Sequence, residues 1–197
     1  DVALAGILDT ADADAIATAW RELDAHARPE APIGLAGDGP VVVDLVRDGP
    51  HALVAGTTGA GKSELLRTLV VGLAARLRPD HVSFVLVDYK GGAAFDACMP
   101  LPHVVGSVTD LDGGLAERAL DSLRAELTRR ERILREHGAS DLPALRERAG
   151  APVVPRLVVI VDEFAALAEE HPDFLTSLVG VAQRGRSLGV HLILATQ

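Results

Sequence analysis

At 197 residues the chain is sized for one domain with a substantial core, and 48% apolar content excludes a disordered chain, while 3% aromatics asks for a core built from aliphatic side chains. The formal net charge of −9 argues against a surface that holds nucleic acid broadly by counterion release, though not against a small basic loop inside a ring. Cys98 is the only cysteine, which excludes an internal disulfide and suits a reducing compartment.

Residues 1–30 read as a helical lead-in. From Asp12 to Ala27, Ile16, Ala19, Trp20 and Leu23 recur at spacings of three and four, and Trp20 reads as a packing anchor. Asp1-Val2-Ala3-Leu4 lacks the basic-then-apolar order of a signal peptide, and no apolar run reaches about 18 residues, so a soluble domain of cytoplasmic type is expected. Pro29 and Pro32 close the lead-in. Ile33–Leu35 and Val41–Val46, joined across Gly37-Asp38-Gly39-Pro40, predict a β-hairpin, and the core is expected to run over 31–197.

The apolar run His51–Ala55 predicts a buried strand and residues 61–77 a helix. Between them, Gly56-Thr57-Thr58-Gly59-Ala60-Gly61-Lys62-Ser63 fits G-x-x-x-x-G-K-[ST] without a mismatch. Strand, glycine loop and helix in that order point backbone N–H groups at a polyphosphate. Lys62 would reach the β and γ phosphates, Ser63 would bind Mg²⁺ through its hydroxyl, and Glu64 follows at the start of the helix. Only two of the 19 basic residues are lysines, Lys62 and Lys90, so a chain that otherwise uses Arg keeps a compact ammonium at the loop.

Further strands are expected at His81–Val87, nearly all apolar and so covered on both faces, at Leu157–Val161 and at Val190–Ala195. Leu101–Gly106 reads as an irregular connection with room for a short strand. Leu111–His137 reads as a long helix with an apolar seam at Leu115, Ala119, Leu123, Leu127 and Leu134, a solvated Arg/Glu face and a stop at Gly138. Shorter helices are expected at Leu142–Ala149, after Phe164 as far as Pro172, and at Phe174–Leu188. Strands alternating with helices predict an α/β fold with a mostly parallel sheet flanked by helices.

Asp162 and Glu163 end the strand at 157–161. Asp162 would hold Mg²⁺ through its water shell and Glu163 would act as general base on the attacking water; both could also cap the next helix. Gln197 closes the last strand, where it would sense the γ-phosphate or position water, or do no more than loop chemistry. Arg184 and Arg186 read as following a helix, either solvated or with one of the two reaching a neighbouring subunit's γ-phosphate as a finger.

On residues 49–69, 84–95, 101–104, 161–164 and 184–197 the chain resembles FtsK/SpoIIIE-type ATPases of the FtsK–HerA branch, and among these it looks most like the EccC/EssC ATPases of type VII secretion systems. The resemblance covers about Pro32 to Gln197. It implies a RecA-like P-loop NTPase core that binds ATP with Mg²⁺ and works in a hexamer or tandem array, as a cytoplasmic domain of a membrane-associated bacterial protein. Lys62 and Ser63 would be its phosphate and metal residues, Asp162 and Glu163 the metal partner and base, and Arg186 a candidate finger; Asp88–Lys90 is a family hallmark without an assigned role. The expected activity is ATP hydrolysis that drives export of protein substrates. The alternatives are translocation of double-stranded DNA and a docking module with little turnover. Because the chain stops just after a core strand, it is expected to be a module of something longer.

Overall fold

The computed structural model describes residues 4–8, 12–89, 91–109 and 113–197. Two short helices, α1 (Leu4–Leu8) and α2 (Ala13–Arg21), precede a hairpin of β1 (Glu30–Ala36) and β2 (Gly39–Asp44). Then follow β3 (His51–Ala55), α3 (Lys62–Arg76), β4 (Val82–Asp88), a 3-10 turn at Asp96–Cys98, β5 (Val104–Thr109) and α4 (Gly113–Glu136). The chain closes with α5 (Leu142–Arg146), β6 (Arg156–Asp162), α6 (Phe164–Glu170), α7 (Pro172–Leu188) and β7 (Val190–Thr196). Strands β3 to β7 form one parallel sheet in the order β3-β7-β6-β4-β5, and the hairpin is a separate two-stranded sheet.

The pleat sorts each strand into two layers. Val158 and Ile160 of β6, Phe84 and Leu86 of β4, and Ile193 of β7 pack with Leu66, Leu69 and Leu73 of α3 and with Ala31 and Leu45 from the hairpin region. Their alternates, Leu157, Val159, Val161, Val87, Val190 and Leu192, pack with α4, α5 and α7. Every residue of β6 is buried, as an apolar parallel strand covered on both sides should be. In such a sheet all strands end on one edge, and the loops after β3, β6 and β7 meet there.

Several elements differ from the sequence reading. Helix α2 stops at Arg21 rather than running to Ala27, and Leu23 and Ala27 instead pack against the α3 layer. Trp20 is the anchor: its indole N–H donates to Ala75 O at 3.2 Å, and its ring meets His103 edge-on at 5.3 Å. Pro32 lies inside β1, where the register shifts between Pro32 and Gly34, as proline in a hairpin strand requires. Residues Val104–Thr109 form a full edge strand, not an irregular connection. Arg184 and Arg186 lie inside the last turns of α7 rather than after it. There Gly185 is required, because a Cβ would come within 2.6 Å of Val190 O.

The long helix holds the largest surprise. Its charged face is not wholly solvated: Arg130 is 3% exposed, donating from Nη1 to Leu188 O at 2.8 Å, from Nη2 to Pro155 O at 2.7 Å and from Nε to Glu126 Oε1 at 2.7 Å. It ties α4 to the entries of β6 and β7. The expected first residues of that helix, Leu111 and Asp112, and Lys90 lie outside the described residues.

Candidate functional site

Strand β3 delivers the chain to Gly56, whose N–H donates to Thr196 O at 3.2 Å and prolongs the β3–β7 ladder by one step. The loop then curls back on itself, with Ala60 N donating to Thr57 O at 3.1 Å. Gly59 at φ 77° and Gly61 at φ 91° adopt left-handed conformations that a side chain would strain. Gly61 is the N-cap of α3 and has no side chain to satisfy the helix's first N–H groups. Those donors have no intrahelical acceptor, and the helix dipole favours negative charge beside them, so the start of α3 is suited to an oxyanion. Lys62 folds over this concavity, its Nζ donating to Gly56 O at 2.7 Å and Thr57 O at 3.2 Å. Glu64 contributes its backbone to the first turn, but its carboxylate is exposed and pairs with Arg67 along α3.

Next to this loop, Ser63 Oγ donates to Asp162 Oδ2 at 2.9 Å, joining residues 99 positions apart. Asp162 is the last residue of β6 and 4% exposed, and its Oδ1 accepts the N–H of Glu163 at 2.9 Å. Glu163 has φ 59°, the only non-glycine positive φ among the described residues. Such a conformation costs about 1–3 kcal/mol and turns the side chain out of the strand line at the sheet edge. Glu163 Oε1 accepts from Gln197 Nε2 at 2.8 Å, and Gln197 Oε1 accepts from Thr58 Oγ1 at 2.9 Å. A continuous relay thus runs Thr58–Gln197–Glu163 across the ends of β3, β7 and β6. Neither carboxylate of the 162–163 pair acts as a side-chain cap of α6.

The structure therefore brings Gly56–Ser63, Asp162, Glu163 and Gln197 to one edge, and it places Arg186 elsewhere. Arg186 sits at the C-terminal end of α7, beside the entry to β7, on the opposite edge of the sheet. Seven strand residues separate the two edges, roughly 20 Å at the usual strand rise, so Arg186 does not reach its own loop. Ser63 and Asp162 together offer hard oxygen donors, a set that fits Mg²⁺, which takes few protein ligands and completes its shell with water and substrate phosphates.

Sequence reasoning left Asp88 without a role. The register sets it beside Asp162, it is 4% exposed, and its Oδ2 accepts from Ala94 N at 3.3 Å. It folds the loop after β4 back toward the sheet edge. The signal was the Gly91-Gly92 pair: a Cβ on Gly92 would lie 3.2 Å from Asp88 Oδ2.

The FtsK/SpoIIIE family profile matches residues 16–197. The type VII secretion system protein EssC of Staphylococcus aureus (strain Mu50 / ATCC 700699) is 42% identical over 185 residues, covering 90% of this chain and 12% of the relative. Among solved structures, the cytoplasmic domain of the Thermomonospora curvata type VII secretion ATPase EccC superposes with a TM-score of 0.90 at 40% identity, over 100% of this chain and 25% of that one. ATPases 2 and 3 of T. curvata EccC, in complex with a signal sequence peptide, give 0.75 at 31% identity, over 86% and 32%. The chain thus spans an eighth to a third of the length of these three proteins. On a profile match from residue 16 to the last residue and on these identities, the chain belongs to the FtsK/SpoIIIE family.

Proposed function

We propose that this chain is the ATP-binding and ATP-hydrolysing module of a membrane-associated translocase, and that it drives type VII-like protein secretion. The observation that carries the chemistry is the 2.9 Å bond between Ser63 and Asp162, with Glu163 and Gln197 bonded beside it. ATP would seat its β and γ phosphates against the N–H groups at the start of α3. Lys62 would exchange its two carbonyl acceptors for phosphate oxygens, so its present bonds hold the ammonium ready over the site. Ser63 and Asp162 would hold Mg²⁺, which when bound supplies charge neutralisation across the phosphates. Glu163 would take the proton of the attacking water, and the Gln197–Thr58 relay would hold its carboxylate toward the γ-phosphate position.

Arg186 faces away from its own loop, so it would act only on a neighbour. Head-to-tail stacking of modules presents the edge that carries Arg186 to the next module's phosphate loop, in a ring or a tandem array. The multi-ATPase relatives and the signal sequence peptide bound to one of them support this arrangement and a protein cargo. The membrane connection would come from segments outside this chain.

Mg-ATP titration of the chain should give saturable binding that Lys62→Ala removes. In the assembled parent, Glu163→Gln should keep nucleotide binding and abolish ATP turnover and export. Unchanged turnover and export with Glu163→Gln would reject the motor reading, and loss of turnover without loss of export would reject the secretion role.

A further inference from the structure

The N-terminal edge of the sheet, farthest from the phosphate loop, holds a second group of buried polar side chains. A cavity of about 400 Å³ opens there where the hairpin end, α5 and the last turn of α7 meet, and Arg156, His191, Arg186 and Asp141 are among its walls. Arg156 begins β6 and shares the parity of Val158 and Ile160, while His191 shares that of Ile193; the pleat sends both toward the hairpin layer.

Arg156 is 8% exposed, and its Nε has no hydrogen-bond partner. Among the described residues its guanidinium has no ion-pair partner. Asp44, whose field reaches it, forms its ion pair with Arg28 and accepts the N–H groups of Val46 and Arg47 on Oδ1; its Oδ2, without a hydrogen bond, makes no ion pair with Arg156. Burial, with repulsion from Arg146 and Arg130, pulls the Arg156 pKa down to about 10, leaving it charged at neutral pH. A buried cation without a counter-charge is costly, and such sites in folded proteins are normally completed by an anion or ordered water.

His191 is 1% exposed, with Nδ1 3.0 Å from Pro50 O. A carbonyl oxygen only accepts, so Nδ1 carries the proton. In the neutral ring Nε2 is then a lone pair, and it has no partner. Burial first, then the charge of Arg156, pushes the His191 pKa down to about 4. The cavity therefore presents cationic donors and one buried acceptor. Asp141 also lines the cavity, with its Oδ1 accepting from Ala144 N and its Oδ2 from Ser140 Oγ, and among the described residues it forms no ion pair with Arg156 or Arg186.

We propose that this cavity binds a protonated phosphate group, inorganic phosphate or a phosphomonoester, with Arg156 and Arg186 holding its charged oxygens and His191 Nε2 accepting its O–H. Hydrogen phosphate has both the charge and the O–H; sulfate and carboxylates at neutral pH have only the charge. The site shares Arg186 with the proposed contact to a neighbouring module but uses none of the residues at the other edge, so binding measured on the 197-residue chain alone, with no neighbour present, stands or falls apart from the hydrolytic reading.

The test is NMR of the 197-residue chain carrying Lys62→Ala, so that occupancy of the phosphate loop is weakened and its amides report separately. Inorganic phosphate should shift the Arg156 Nε–H and His191 ring signals saturably, with a dissociation constant of about 1–10 mM or tighter, and sulfate and acetate should bind at least about tenfold more weakly. Glycerol 3-phosphate at pH 6, where part of it keeps its O–H, distinguishes the sources: saturable shifts extend the site to phosphomonoesters, and their absence rejects that part of the proposal. Arg156→Gln should abolish the shifts at His191, and the exposed Arg186→Ala, which leaves the core untouched, should weaken binding about threefold or more. No shift at either residue up to about 50 mM phosphate overturns the site, and sulfate or acetate binding as well as phosphate overturns the assignment of its ligand.

Discussion

The two edges of the sheet handle polar groups in opposite ways. On the edge that carries the phosphate loop, polar side chains at and just beyond the ends of three strands satisfy one another: Ser63 with Asp162, Thr58 with Gln197, and Gln197 with Glu163. Each bond links a different pair of loops, so the site is held in register before any nucleotide arrives, at the cost of one strained residue at Glu163. On the opposite edge the polar groups are larger and deeper. Arg130 has a carboxylate and backbone carbonyls for its donors, whereas Arg156 has no such partner. Burial alone therefore does not tell a structural arginine from one awaiting a ligand. What separates them is the tally of donors against acceptors.

That contrast can be broken most sharply by chemistry. In the assembled parent, Glu163→Gln should lower ATP turnover by about 10²–10⁴-fold, the usual worth of a general base, while Arg156→Gln should leave Mg-ATP affinity unchanged. If Arg156→Gln abolishes Mg-ATP binding, the two edges are not separable. Next in size is stability. Arg130→Ala takes their donor from Leu188 O and Pro155 O, while Glu126 keeps Arg129 and Gly189 O keeps Leu157 N, and should cost about 2–4 kcal/mol, read as a fall in Tm of roughly 10 °C. Arg156→Leu, measured without phosphate, should lie within about 1 kcal/mol of the parent chain or stabilise it, because it removes an uncompensated charge. Equal losses for the two variants would show that Arg156 is satisfied after all.

Acid supplies a third lever. His191 has a folded pKa of about 4 against an ordinary value of 6.5, so the unfolded chain binds the extra proton between those values. Its contribution is complete above about pH 6.5 and is lost as pH falls toward 4, by at most about 3 kcal/mol. Urea unfolding at pH 7, 5.5 and 4.5 should show this decline, and His191→Leu should flatten it; an unchanged slope would place the acid sensitivity elsewhere, with buried His103 the next group to test. The smallest effect is at Glu163. Replacing it with Gly should relieve the positive φ and stabilise the chain by about 1 kcal/mol while removing turnover, separating the strain from the reaction it serves.

Much of this was legible in the residues. The glycine loop, the apolar runs ending in Asp88, Asp162 and Gln197, and the alternation of strand and helix were enough for the parallel α/β plan, because a parallel sheet brings the ends of its strands together wherever they lie in the chain. Local pattern was less informative at the margins. Val104–Thr109 alternates only weakly and follows a proline, so its strand character comes from pairing with β4. Leu23 and Ala27 carry helical spacing, but the chain between them turns, with Ala27 N donating to Asp24 O, and both pack against the α3 layer.

Sequence by itself determined which residues can bind a phosphate, hold a metal or take a proton, since those depend on side-chain chemistry and on spacing within one strand–loop–helix unit. Tertiary structure alone decided who stands next to whom: that Gln197 bonds both Thr58 and Glu163, that Arg186 is carried to the far edge, and that Arg130 is satisfied while Arg156 is not. Those outcomes rest on contacts between residues from 25 to 139 positions apart, and no local periodicity encodes the distance across a folded sheet.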